Sequence, residues 1–415
     1  MPLEVAQRTV LEAVPLLPEV AVALVDALGL VLAGPVVAPH DLPPFANSAV
    51  DGYAVRAPDV AAPATLDVVE EIAAGSVAVA ALGPGTAIKV MTGAPLPVGT
   101  EAVVRVEDTE RDGDRVRILA ATSPGTAMRP AGGDVAAGTT VLRTGERLGP
   151  AHLGVLASLG IARPVVFRRP RVAVMSTGDE LEPPETKVLG PGMIRDANRF
   201  LLRGLLDELG ATVVDLGIVA DDVTALRTAL AAAADTADVV VTSGGVSMGD
   251  HDVVKEELLR LGSVGFWRVA MQPAKPFGFG TVPGTSGPVP FFGLPGNPVS
   301  VVVAFEQYLR PALLQMMGAE ALFRPRVDGV LEEGATTDPR KDVFLRVVAT
   351  PDTSGSWTAR SAGGQSSNVL SAMAAANAFA VVPRGVAEVP PGGTVTLEMF
   401  RHPSTRRREE ADNDD

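Results

Sequence analysis

Two similar loops carry the residue types that could bind an anion and a metal ion. Thr177-Gly178-Asp179-Glu180 follows the aliphatic run 171–176, and Thr242-Ser243-Gly244-Gly245 follows the run 238–241 and leads into further acids at 249–252. Glycine lets a backbone approach an anion closely and hydroxyls donate to its oxygens, whereas a carboxylate beside a phosphate needs a bridging cation such as Mg²⁺. Either loop alone could be an ordinary capped turn. Two such loops at equivalent strand ends favour a binding site.

Four other stretches could complete a pocket. GLPGNPVS (293–300) has two prolines that restrict it and a Gly-Asn pair that suits a turn or an exposed backbone patch. WRVAMQPAKPFGFG (267–280) offers Arg268 and Lys275, and prolines frame the lysine. SAVDGYA (48–54) and MTGAPLP (91–97) contain polar side chains that matter to chemistry only if they face the pocket.

Strands that alternate with helices predict the sheet that must position these loops. The pattern predicts strands at 171–176, 212–219 and 238–242 and helices at 198–209 and 223–234. Right-handed crossovers between such strands give a parallel, doubly wound sheet. Ligands bind outside the carboxyl ends of the strands in such sheets, which is where both loops lie.

Helical and β-rich regions are predicted on either side of this sheet. Residues 3–29 predict one or two amphipathic helices, interrupted near Pro15 and Pro18. Short valine-rich runs between 37 and 129, punctuated by Gly and Pro, predict a small β barrel or sandwich. Further predictions are helices at 149–159 and 299–317, β structure after Arg324, and a disordered charged tail at the end.

Composition excludes several classes of protein and site. The 415 residues suggest about three domains, and 47% hydrophobic with 20% charged residues is typical of a globular chain. No cysteine and only 4 histidines leave a hard, oxygen-bound metal as the expectation. A formal charge of −14 argues against a nucleic-acid surface. The apolar run 20–38 is broken by Asp26 and Gly34-Pro35, and the N-terminus lacks signal-peptide features, so no membrane span and a cytoplasmic location are expected.

Taken in order along the chain, these motifs resemble those of a known family. The chain resembles the molybdopterin molybdenumtransferases, the MoeA proteins, which are similar to the C-terminal domain of gephyrin. The resemblance covers roughly residues 3–400 and is carried by NSAVDGYAV, KVMTGAPLPVG, STGDEL, RDANRFLL, TSGGVSMGDHD, QPAKPFGFG and GLPGNPVS.

The resemblance implies an enzyme that inserts molybdenum from molybdate into adenylylated molybdopterin, with Mg²⁺ as cofactor and with release of AMP. It implies an elongated homodimer whose site is shared between subunits, and other cofactor-biosynthesis proteins as possible partners. The implied domains are a discontinuous elongated N-terminal domain (1–36 and 130–167), an inserted β domain (37–129), a molybdopterin-binding α/β domain (168–320), a C-terminal β barrel (321–403) and a disordered tail (404–415).

Matching positions give the site residues that the resemblance implies. The catalytic set is Asp51, Thr92, Asp134, Glu180, Asp221 and Asp252, of which Glu180, Asp221 and Asp252 are the expected Mg²⁺ ligands. The substrate-binding set is Thr177, Gly178, Asp179, Ser243, Gly244, Gly245, Arg268, Lys275, Pro295, Gly296, Asn297, Arg340, Arg346 and Ser367. The last three fall where the family presents anion-binding groups to the partner subunit's cleft.

The chain departs from the family pattern in one stretch. The family often has a second lysine in this stretch and a glycine before the lysine that matches Lys275, whereas this chain has Arg268, Gln272 and Ala274. A positive charge is kept at Arg268. Gln272 cannot neutralise an oxyanion. These departures leave open a gephyrin-like scaffold that binds a peptide of a receptor or cytoskeletal partner. A generic nucleotide-binding enzyme is less favoured, because neither a GxxxxGK[ST] loop nor a GxGxxG turn follows the right strand.

Overall fold

The computed structural model describes residues 1–60, 63–244, 260, 263–352 and 354–402, and this part of the chain divides into two compact units. Unit 1 contains Met1–Val20, Gly29–Ala33 and the chain from Val166 onward, and unit 2 contains Ala21–Leu28 and Gly34–Val165. The chain begins with helix α1 (Leu3–Ala13) and the short strand β1 (Glu19–Ala21).

Unit 2 is built on one six-stranded sheet. Its elements are β2 (Val36–Val37), β3 (Asn47–Ser48), β4 (Gly52–Val55), β5 (Ala64–Ile72), β6 (Thr86–Val90), β7 (Ala102–Arg105), β8 (Thr109–Asp112), β9 (Arg115–Ile118), β10 (Met128–Arg129), β11 (Thr140–Leu142), helix α2 (Pro150–Ser158) and three 3-10 turns (Leu24–Asp26, Ala57–Asp59 and Val106–Asp108). The sheet order is β7-β4-β6-β5-β9-β8.

Both faces of this sheet are buried. In β4, Tyr53 and Val55 enter one core and Ala54 enters the other. Connecting segments cover the two faces, with Val60 on the first and Leu82 on the second. We predicted a barrel or a sandwich here and find an open six-stranded sheet with two additional two-stranded ladders, β3–β10 and β2–β11.

Unit 1 contains the sheet that carries the strand-end loops. After β12 (Val165–Phe167), its elements are β13 (Arg171–Thr177), β14 (Leu181–Glu182), β15 (Ile194–Arg195), α3 (Asn198–Leu209), β16 (Thr212–Val219), α4 (Val223–Thr236), β17 (Val239–Ser243), β18 (Gly265–Arg268), β19 (Met271–Gln272), β20 (Pro276–Gly284) and β21 (Gly287–Leu294). The sheet order is β16-β13-β17-β21-β20-β18.

Helices lie on both faces of this sheet. Alternate residues of β13 enter two different cores: Val172 packs with Leu206 of α3, and Ala173 packs with Leu230 of α4. Strands β16, β13, β17 and β21 are parallel. The predicted parallel arrangement therefore holds for four strands. The next strand, β20, forms a hairpin with β21 and is therefore antiparallel to it. Strand β18 pairs antiparallel with β20 at the edge of the sheet.

A closed five-stranded barrel follows in the C-terminal region. A helical segment precedes it, formed by α5 (Pro298–Ala304), a π-helical turn (Phe305–Leu309) and α6 (Arg310–Met316). The later elements are β22 (Arg326–Leu331), β23 (Ala335–Thr336), β24 (Asp342–Pro351), β25 (Trp357–Ser361), α7 (Leu370–Ala375), β26 (Ala378–Val382), β27 (Glu388–Val389) and β28 (Gly393–Met399). The ring runs β24-β25-β22-β28-β26 and closes because β26 pairs with β24.

The N-terminal helix ends at the predicted interruption near Pro15, but no second α-helix follows it within residues 14–29. Val14 is extended, so α1 stops before Pro15, and a short strand and a 3-10 turn occupy the following segment. The buried residues Leu3, Ala6 and Val10 belong to the same core as α6. The four-domain division with its exact boundaries stays a prediction. Within the described residues, no helix combines the length and apolar character needed to cross a membrane.

Candidate active site

The two loops that opened the sequence argument lie side by side. Strand β13 ends at Thr177, and its parallel neighbour β17 ends at Ser243. Gly244 has φ +95°, and a Cβ there would lie 2.5 Å from the Thr177 carbonyl oxygen. Only glycine therefore lets the two loops approach this closely. The Oγ1 atoms of Thr177 and Thr242 are buried and have no hydrogen-bond partner within the described residues.

Asn198, the first residue of α3, connects two of the predicted loops. Its Nδ2 donates to Ser243 Oγ at 2.8 Å and to the Gly296 carbonyl oxygen at 2.7 Å. The preceding Asp196 is 3% exposed, and its Oδ1 accepts a hydrogen bond from Ser176 Oγ at 2.9 Å. Sequence reasoning missed Asp196 and Asn198 as site residues. The polar RDAN segment (195–198) could have indicated them, but the helix was interpreted only from its apolar stripe.

Removing the Asn198 amide is expected to separate these loops. Asn198→Ala deletes two hydrogen bonds, which should lower the free energy of unfolding by about 1–3 kcal/mol and raise KM for a substrate bound between these loops more than it lowers kcat. Denaturant unfolding and steady-state kinetics measure both effects. Asn198→Asp keeps the shape but lacks the amide donor, so it should behave similarly. Wild-type stability and KM in both variants would contradict the connecting role.

A cavity of about 460 Å³ lies in unit 1 beside these loops. Its lining residues are Met271, Gln272, Pro273, Ala274, Lys275, Pro276, Pro295, Asn297, Ser300, Lys341, Gln365, Ser366 and Ser367. Lys275, Pro295, Asn297 and Ser367 were predicted substrate-binding residues, and the structure brings them together. Ser300 and Lys341 were not predicted.

The cavity has two cationic side chains. The Lys275 ammonium is exposed and has no ion-pair partner within the described residues. Lys341 Nζ lies 2.9 Å from Asp338 Oδ2 and donates to Gln272 Oε1 at 3.3 Å. Hydrogen bonds, first from the Arg340 side chain and then from Lys341, hold the pKa of Asp338 well below its usual range. The Asp338 carboxylate therefore stays ionised and holds the side chains of Arg340 and Lys341 in place.

The backbone of the lysine loop is strained at one residue. Ala274 has φ +67°, a left-handed conformation that a side chain disfavours by about 1–2 kcal/mol. This is the position at which the family usually has glycine. Phe277 anchors the loop from the following strand, because its ring stacks on Tyr308 with centroids 4.1 Å apart.

The predicted arginines do not line the cavity. Arg346 is 1% exposed, and its guanidinium donates to the carbonyl oxygens of Gly364 and Ser366 at 2.7 and 3.3 Å. Burial lowers its pKa. Arg346 therefore supports the loop that carries Ser367. Arg340 is largely exposed and bonded to Asp338, and Arg268 is exposed.

The acids of unit 1 lie at the carboxyl ends of β13 and β16. Asp179 Oδ1 accepts a hydrogen bond from the Asp221 amide at 3.1 Å, which brings two loops together. Glu180 is exposed, and its carboxylate lies over Gly178, where a Cβ would be 2.5 Å from Oε2. Gly245 and Asp252 lie outside the described residues. Within the described residues, no three Asp, Glu or His side chains are placed to hold a metal.

In unit 2, Asp51 and Thr92 form a bonded pair. Asp51 Oδ1 accepts hydrogen bonds from the Thr92 amide and from Thr92 Oγ1, both at 2.7 Å. The backbone hydrogen bond first, and then that of the hydroxyl, lowers the pKa of Asp51. Asp134 is exposed, and its amide donates to the Leu42 carbonyl at 3.0 Å. No hydrogen bond within the described residues links Asp134 to the Asp51 pair.

Comparison with known proteins places the whole chain in one family. Family models match residues 1–160 (MoeA N-terminal region, domain I and II), 173–315 (probable molybdopterin binding domain) and 328–400 (MoeA C-terminal region, domain IV). Molybdopterin molybdenumtransferase 2 of Mycobacterium tuberculosis (strain ATCC 25618 / H37Rv) is 43% identical over 397 residues, which are 93% of this chain and 96% of that protein. The chain belongs to the molybdopterin molybdenumtransferase family. It is a transferase of molybdenum cofactor biosynthesis, and the scaffold alternative is not favoured.

Other molybdopterin molybdenumtransferases and MoeA structures agree with this assignment. The Haemophilus influenzae protein of that name is 37% identical over 384 residues, covering 91% of this chain and 93% of its own length. The crystal structure of the molybdopterin biosynthesis MoeA protein from Pyrococcus horikoshii OT3 matches with a TM-score of 0.81 and 30% identity, over 96% of this chain and 100% of that chain.

Proposed function

We propose that this molybdopterin molybdenumtransferase inserts molybdenum from molybdate into adenylylated molybdopterin and releases AMP in a reaction that needs Mg²⁺. The cavity around Lys275 is the observation that carries the proposal. A protein with a formal charge of −14 places two lysines and several hydroxyls around one cavity, next to the strand-end loops.

The Lys275 cavity fits a small oxyanion. Molybdate is a dianion whose oxygens accept hydrogen bonds, and Ser300 and Ser367 offer hydroxyl donors beside the lysines. Two unit charges 4 Å apart interact by about 4 kcal/mol at an effective dielectric constant near 20. Since a water molecule occupies about 30 Å³ in the liquid, a cavity of 460 Å³ also has room for the sulfur-bearing end of a pterin.

The strand-end loops supply the binding surface for the rest of the pterin nucleotide. Thr177, Gly178 and Asp179 form one side and Ser243 and Gly244 the other, while Pro295, Gly296 and Asn297 continue toward the cavity. Gly245 stays a predicted substrate-binding residue outside the described residues. The Thr177 and Thr242 hydroxyls are buried and have no hydrogen-bond partner within the described residues, and in this proposal they donate to substrate oxygens. Asn198 bonds both Ser243 and Gly296, so it fixes the distance between the two loops that would bind the two ends of the substrate.

Mg²⁺ enters the proposal through the carboxylates Glu180, Asp221 and Asp252. Their hard oxygen donors suit Mg²⁺, and the ion would neutralise phosphate charge. The described residues alone do not provide a group of three ligands, so we derive no step through the metal. Asp51 and Thr92, a bonded pair within unit 2, would position an oxyanion or a water molecule bound beside them, and Asp134 stays a predicted catalytic residue. A homodimer with a shared site remains part of the proposal, with Arg340 and Ser367 on the barrel side, whereas the buried Arg346 supports the loop that carries Ser367.

AMP release tests the proposed reaction. The full chain, incubated with adenylylated molybdopterin, Mg²⁺ and molybdate, is expected to release AMP at a rate that saturates with molybdate and stops when a chelator removes the metal. Expression in a strain that lacks its own transferase should restore molybdoenzyme activity. A rate of AMP release that does not depend on the molybdate concentration, together with failed complementation, would overturn the proposal.

A further inference from the structure

We infer that Lys341 is the second cation of the oxyanion cavity and that Gln272 positions it there. This inference rests on the proposed function, because it concerns how the same cavity binds molybdate. It explains how this chain balances a dianion although Gln272 stands where the family often has a lysine.

Strand pairing brings Lys341 to Gln272. Strand β19 pairs in parallel with the barrel strand β24, with Met271 opposite Asp342 and Gln272 opposite Val343. Lys341 directly precedes β24 and is level with Ala270 in this register, so its long side chain reaches Gln272 diagonally. Both side chains line the cavity.

Hydrogen bonding fixes where the ammonium group sits. Lys341 Nζ donates to Gln272 Oε1 at 3.3 Å and lies 2.9 Å from Asp338 Oδ2. The carboxamide oxygen of Gln272 can accept this bond, whereas a lysine at that position would repel Lys341. Gln272 and Lys341 are therefore compatible neighbours. The positive charge lies on the wall of the cavity next to β24, and Gln272 on the β19 wall is neutral.

Asp338 does not cancel the charge of Lys341. Its Oδ1 accepts from Arg340 Nε and its Oδ2 from Arg340 Nη2, both at 2.9 Å. The bidentate arginine matches the single negative charge, so the group of Asp338, Arg340 and Lys341 has a net charge of about +1. The Arg340 side chain is 84% exposed and does not line the cavity, whereas that of Lys341 is 25% exposed and does.

Molybdate titration of the full chain by calorimetry tests the pair. Lys341→Met is expected to weaken molybdate binding about tenfold or more, because a charge-assisted hydrogen bond is lost. Lys341→Arg should retain most of the affinity. Gln272→Lys, introduced into Lys341→Met, should restore binding, because it returns the cation to the other wall. Lys187→Met removes an exposed lysine elsewhere and is the matched control.

The outcomes separate this inference from the proposed function. If Lys341→Met binds molybdate like wild type while Lys275→Met does not, Lys341 is not the second cation, and the oxyanion cavity stands. If Lys341→Met weakens molybdate binding but the added Gln272→Lys does not restore it, the lost charge at this wall is not the cause of the weaker binding and the inference fails. If neither Lys275→Met nor Lys341→Met changes the affinity, the cavity itself is the wrong site. Thermal unfolding of each variant identifies any that lose their fold.

Discussion

Lys275→Met is expected to weaken molybdate binding about tenfold to a hundredfold and to reduce AMP release in proportion at low molybdate. Lys275 lines the cavity, its side chain is exposed, and it has no ion-pair partner within the described residues. Loss of a charge-assisted hydrogen bond costs about 1.5–3 kcal/mol, which corresponds to that range of affinity.

The substitution should leave the fold unchanged. Phe277 and Tyr308 anchor the strand that follows Lys275, and methionine retains the length of the lysine stem. Calorimetric titration with molybdate and AMP release at several molybdate concentrations measure the effect. Lys187→Met is the control, since Lys187 is an exposed lysine outside the cavity. Unchanged affinity in a folded Lys275→Met protein would remove Lys275 from the site.

Asp51→Asn is expected to reduce the conversion of adenylylated molybdopterin by about a hundredfold or more while leaving its binding intact. Asp51 Oδ1 accepts two hydrogen bonds from Thr92, and an asparagine oxygen can accept the same bonds. The variant therefore isolates the carboxylate charge. Thr92→Val is the companion variant, because it deletes the hydroxyl donor and keeps the backbone donor.

The pH dependence gives a second measure of Asp51. The hydrogen bonds from Thr92 hold its folded pKa below the usual aspartate value, so the carboxylate is ionised throughout the neutral range. The stabilisation from the Thr92 bonds is present above the unfolded pKa and is lost as the pH falls through the lower folded pKa. Asp51 therefore does not titrate above about pH 5, and any fall in rate on the acidic side above that pH comes from another group. That fall should be the same in Asp51→Asn as in the wild type. Full activity in this variant would exclude Asp51 from the mechanism.

The elements with clear periodicity could be predicted from sequence. Helix α3 and strand β16 have the predicted bounds, because a helical stripe and an aliphatic run define them. The β20–β21 hairpin was missed. Its strands contain several glycines and prolines, which lack the alternation of a half-buried strand and are typical of turns.

The candidate site could be predicted only where a loop follows a strand. The Thr177 and Ser243 loops were found in this way, because parallel strands place their carboxyl ends together. Lys341 could not be found, since its place in the cavity depends on pairing between β19 and a barrel strand far away in sequence. Arg346 was assigned to anion binding because of the family resemblance, and only the structure reveals that it is buried and bonded to the backbone of the loop that carries Ser367.

Crystals of the full chain soaked with molybdate, measured at the molybdenum absorption edge, test the central claim most directly. The expected result is one strong anomalous peak inside the cavity, within hydrogen-bonding distance of Lys275 and of the Ser300 or Ser367 hydroxyl. A peak confined to other surfaces, with this cavity holding only water at saturating molybdate, would contradict the account.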